Sequence, residues 1–85
     1  MTSAKIHSTA LVEPGARISA DVEIGPFSVI GPQAVIGQKT IVQSHVVIEG
    51  QVTIGSDNFV GHGAIIGAPS EGSSGYFSFK EAGVL

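Results

Sequence analysis

Residues 6–67 read IHSTALVEPGARISADVEIGPFSVIGPQAVIGQKTIVQSHVVIEGQVTIGSDNFVGHGAIIG. Every sixth residue from the first is Val or Ile: Ile6, Val12, Ile18, Ile24, Ile30, Ile36, Val42, Ile48, Ile54, Val60 and Ile66. Eleven matches without a gap make this a structural repeat and not a chance pattern. Two residues before each stands a smaller side chain, which is Ala, Val or Thr everywhere except Ser28 and Asn58. One residue after it, glycine recurs at Gly25, Gly31, Gly37, Gly55, Gly61 and Gly67.

A period of six belongs neither to a helix, which repeats at about 3.6, nor to a plain strand, which repeats at about two. It fits a short strand followed by a corner. The small and the branched residue face inward, one outward residue separates them, and the glycine with its neighbours turns the chain. Three hexads close a triangular coil of about 18 residues, and successive coils stack as parallel strands about 4.8 Å apart. The expected architecture is all-β, a left-handed parallel β-helix of about four coils. Branched Val and Ile suit the pleated walls of such a prism, and large aliphatics fill its interior vertices beside the smaller residues.

The register ends after Ile66. Positions 72 and 78 are Gly and Ser, and the stretch GSSG has a linker composition. Tyr76, Phe77 and Phe79 follow at once, and Ala82 with Val84 falls back on the hexad spacing. Residues 1–67 are therefore expected to form the β-helix, and residues 68–85 an external loop with a truncated return to it. Solenoid ends need caps, so a prism this short is expected to associate with other copies.

Composition narrows the function classes. The chain has 85 residues, enough for one domain. It carries no cysteine, which removes disulfides and thiolate metal sites. Net charge is −3 and no basic patch is present, which argues against nucleic acid. The first residues, MTSAKIHSTALVEPG, hold no apolar run of signal-peptide length. No segment approaches the roughly 20 apolar residues of a membrane span. A cytoplasmic protein is the expectation.

Three pieces of the run are most characteristic: Ile6-His7-Ser8-Thr9-Ala10, Ile24-Gly25-Pro26-Phe27 and Ser44-His45-Val46-Val47. With Ile66-Gly67-Ala68-Pro69, they resemble the start of the UDP-N-acetylglucosamine O-acyltransferases of lipid A synthesis, within the hexapeptide-repeat superfamily. The resemblance covers residues 5–69 and extends to the related N-acyltransferase of the same pathway. It implies a homotrimer with active sites between adjacent prisms. It also implies transfer of a 3-hydroxyacyl group from acyl carrier protein to the sugar 3-hydroxyl, with no cofactor. The family's general base is the histidine of an Ala-His motif, and no Ala-His pair stands in these 85 residues. The family's Gln-Asp pair is likewise missing from the loop region. Ser78 falls where the family's substrate-contacting lysine stands and Lys80 is the nearby cation, so these two are the candidate substrate-binding residues. The chain is expected to be inactive by itself. The alternatives are a non-catalytic trimerising module and another hexapeptide-repeat transferase.

The remaining polar residues read more plainly. His7, His45 and His62 are the only histidines. His45 and His62 fall at corners, where side chains face outward, so both read as surface or interface groups and not as a general base. Their spacing offers no metal site. The recurrent glycines belong to corners and not to a phosphate loop, and Asp57-Asn58 reads as turn chemistry.

Overall fold

A computed structural model describes residues 3–67 and, as backbone, the strand at 77–79. Each hexad forms one strand: β1 Lys5–Ile6, β2 Leu11–Val12, β3 Arg17–Ile18, β4 Glu23–Ile24, β5 Val29–Ile30 and β6 Ala34–Ile36. β7 Ile41–Val42, β8 Val47–Ile48, β9 Val52–Ile54, β10 Phe59–Val60, β11 Ile65–Ile66 and β12 Phe77–Phe79 complete the series. Three parallel sheets of four strands form the walls of a prism, in the orders β1-β4-β7-β10, β2-β5-β8-β11 and β3-β6-β9-β12. The left-handed parallel β-helix expected from the hexads is the fold.

From β1 to β11 each residue pairs with the one eighteen positions on, as in Ile6 with Ile24 and Ile30 with Ile48. The inward residues pack into one column of aliphatics. Val22, Ile30, Ala34, Ile36, Val46, Ile48 and Val60 are fully buried. Burial fades toward the first coil, where Ile6 is 45% exposed because no coil lies beneath it.

β12 breaks the spacing. Phe77, Ser78 and Phe79 pair with Val52, Thr53 and Ile54. That separation is twenty-five residues instead of eighteen, seven more than one coil. Ala82 and Val84, which share the original register, lie outside the described residues.

The corners work differently from the sequence expectation. Of the recurrent glycines, only Gly67 has positive φ. Gly50 adopts the left-handed conformation two residues after Ile48, whereas at most corners it falls three residues after the aliphatic vertex, at Gly15, Asp21, Phe27, Lys39, His45, Asp57 and Gly63. This is the third residue of a tight turn, the position that takes positive φ in a type II turn. Gly25 and Gly37 serve close approach instead. A Cβ on Gly37 would lie 2.6 Å from the Gly55 carbonyl carbon, and one on Gly25 would lie 2.7 Å from that of Gln43. The backbone N–H groups of His45, Asp57 and Gly63 donate to Pro26, Gln38 and Ser44 carbonyls in the preceding coil. These bonds help hold such residues in a sparsely populated region.

Ser28, Thr40 and Asn58 occupy inward positions yet leave no polar atom stranded. Ser28 Oγ donates to the Gln43 carbonyl (2.7 Å) and accepts the Val46 N–H (3.0 Å). Thr40 Oγ1 donates to the Gly55 carbonyl (2.7 Å) and accepts the Asn58 N–H (3.2 Å). Each hydroxyl thus enters the turn of the coil above, between the two groups that bond directly at other corners, such as Ala34 N–H to Gly31 O. Among the described residues no buried side-chain N or O lacks a partner.

Candidate functional site

The edge between the first and second sheets gathers most of the polar chemistry. Eighteen-residue stacking superposes Thr9, Phe27, His45 and Gly63 in one column of that edge, and Ser8, Pro26, Ser44 and His62 in the next. Beside it an open groove of about 610 Å³ crosses β1, β4 and β7. Its polar lining comes from Lys5, His7, Glu23, Gln43, Ser44 and His62. Its apolar lining includes Ile6 and Ile41, which are 45% and 37% exposed.

All three histidines lie on this edge, each with a defined partner. His62 Nδ1 lies 2.8 Å from Ser44 Oγ and accepts the Ser44 N–H at 3.3 Å. A backbone N–H can only donate, so Nδ1 is the acceptor and the proton of the neutral ring sits on Nε2. His7 is fixed in the same way, accepting the Thr9 N–H (3.1 Å) beside Thr9 Oγ1 (2.9 Å). Thr9 Oγ1 in turn accepts the Phe27 N–H. His45 stacks on Phe27, with ring centroids 5.3 Å apart.

The sequence placed His45 and His62 outward at corners, and both are exposed. It did not show that His62 meets Ser44 or that His45 meets Phe27. The signal was available, because each pair is separated by eighteen residues, one full coil. Ser78 lies on β12 in register with Thr53, away from this edge, and Lys80 lies outside the described residues. Among the described residues no three His, Cys, Asp or Glu side chains are grouped to hold a metal ion.

Comparison with known proteins agrees with this architecture. The model of the bacterial transferase hexapeptide family (six repeats) matches residues 3–38 and 33–68. The chain belongs to this hexapeptide-repeat family. Among its relatives is the acyl-[acyl-carrier-protein]–UDP-N-acetylglucosamine O-acyltransferase of Paraburkholderia phytofirmans, 70% identical over 63 residues. That match covers 74% of this chain and 24% of the relative. The identically named protein of Stenotrophomonas maltophilia (strain R551-3) is 65% identical over 68 residues, 79% of this chain and 26% of the relative. That of Xanthomonas campestris pv. campestris (strain B100) is 54% identical over 67 residues, 78% and 26% respectively. The hexapeptide-repeat chain therefore spans about a quarter of the length of these relatives. Among the described residues no helix is long and apolar enough to cross a membrane.

Proposed function

We propose that this chain supplies the N-terminal coils of an acyl-[acyl-carrier-protein]–UDP-N-acetylglucosamine O-acyltransferase. The full reaction moves a 3-hydroxyacyl group to the sugar 3-hydroxyl in lipid A synthesis. The observation that carries this reading is 54–70% identity to proteins of that name over 63–68 residues, along an unbroken β-helix. Without an Ala-His motif the 85-residue chain has no family general base, so it is a scaffold and not a complete catalyst. Ser78 and Lys80 are proposed as its substrate contacts, and acyl carrier protein and the nucleotide sugar as partners of the assembled enzyme. The cytoplasmic assignment rests on the same resemblance.

We also propose a homotrimer. The outward column of the second sheet is wholly aliphatic: Leu11, Val29, Val47 and Ile65, with Leu11 55% and Ile65 70% exposed. A continuous aliphatic stripe, exposed at both ends and half-buried between them, is what a subunit contact needs and what an isolated surface avoids.

The test is a chimera. Residues 1–67 replace the matching coils of the Paraburkholderia relative, and acyl transfer to UDP-N-acetylglucosamine is measured beside the 85-residue chain. The chimera is expected to turn over and the short chain to be inactive. A folded, trimeric chimera without turnover would overturn the reading. In sedimentation, Ile65→Glu is expected to dissociate the chimera, and an unchanged assembly would remove the stripe from the interface.

A further inference from the structure

Two hydroxyl–imidazole pairs stand on the same edge, and they are not equivalent. In the Thr9–His7 pair the hydroxyl oxygen already accepts the Phe27 N–H, and Thr9 is outside the groove lining. In the Ser44–His62 pair both residues line the groove. No donor to Ser44 Oγ is found among the described residues, and Ser44 is half-exposed. The Ser44 O–H points along the 2.8 Å contact to His62 Nδ1, the nitrogen that the neighbouring N–H fixes as unprotonated. A hydroxyl held by the basic nitrogen of an imidazole is the minimal arrangement of an activated serine nucleophile. The exposed Ile6 and Ile41 side chains offer an apolar bed beside it, and Lys5 and Gln43 supply donors in the same groove.

We propose that Ser44 is a nucleophile toward activated acyl esters, with His62 as its general base. Ser44 Oγ forms a bond to the acyl carbonyl carbon while its proton passes to His62 Nδ1. The bond from that carbon to the leaving oxygen breaks, and the leaving group takes the proton from His62. Water then adds to the acyl carbon, His62 removes its proton, and the carbon–Oγ bond breaks. The acid is released and Ser44 recovers its proton. No described carboxylate orients His62, so turnover is slow and the acyl-Ser44 form accumulates. This activity is independent of the acyl transfer proposed above, because acceptor sugar and carrier protein take no part.

The experiment exposes the 85-residue chain to p-nitrophenyl hexanoate, follows nitrophenolate release, and maps the adduct by peptide mass spectrometry. The expected result is a hexanoyl group on Ser44, with the exposed Ser8 and Thr9 unmodified. Ser44→Ala abolishes the adduct, and His62→Gln slows its formation about 100-fold, the lower range of general-base effects. Circular dichroism checks that each variant keeps its strands. Absence of a Ser44 adduct in the unaltered chain overturns the proposal, whatever the variants do. So does labelling of Ser44 at an unchanged rate in folded His62→Gln.

Discussion

Thr40→Val separates two accounts of the interior. The position is the small inward one of its hexad, and Val already fills it at Val22, Val46 and Val52. Counting apolar contacts alone, Val at position 40 is neutral or stabilising. The structure gives the opposite sign. Thr40 is fully buried, and its hydroxyl bridges the Gly55 carbonyl and the Asn58 N–H of the next coil. Val removes the bridging oxygen, and the turn of the next coil then has to shift to close directly, as the Gly61–Ala64 turn does over Val46. The Gly55 carbonyl keeps the Asn58 Nδ2 donor at 3.2 Å, which spares that group. The Asn58 N–H loses the acceptor that Thr40 provides. Losing that buried hydrogen bond costs up to about 3 kcal/mol where the turn does not shift, and the added methyl returns somewhat less than about 1 kcal/mol. The expected net loss is at most about 2 kcal/mol, up to roughly a thirtyfold shift in the unfolding equilibrium. Urea denaturation at one fixed protein concentration, followed by circular dichroism, measures it, because association adds to apparent stability. A Thr40→Val chain as stable as the parent, or more stable, refutes the bridging-hydroxyl account.

Two further outcomes follow from the geometry. Gly37→Ala is expected to destabilise more than Gly63→Ala in the same denaturation series. The first drives a Cβ to 2.6 Å from backbone atoms of the next coil, whereas the second has open space and only positive φ to oppose it, about 1 kcal/mol. Ile36→Ala, at a fully buried vertex between β3 and β9, is expected to cost about 3–4 kcal/mol. Ile6→Ala on the open first coil should cost less than half as much, and equal losses would contradict the burial gradient.

The fold was legible in the sequence because its geometry is local. Two residues in six face the interior, and a run of eleven aliphatics at that spacing admits few other shapes. Asp57 was likewise readable as turn chemistry, and its φ is 61°. Phe27 at φ 61° was not readable, because a bulky residue rarely adopts that region. Its N–H is held there by Thr9 Oγ1, a partner eighteen residues away.

What the hexad determined by itself was the β-helix, its inward faces and the corners. Only the stacked coils decided which side chains meet. Ser44 and His62 read separately as corner residues, and they become a pair because one coil lies directly over another. Ser28 and Asn58, the two exceptions to the small-residue rule, become hydrogen-bonded parts of the interior for the same reason. The return at Phe77–Phe79 is a further case. Seven extra residues shift the hexad count, and strand pairing across the coil sets Phe79 beside Ile54. Sequence spacing fixes which way a residue faces, whereas its partner is fixed by the register between coils, which tertiary stacking alone supplies.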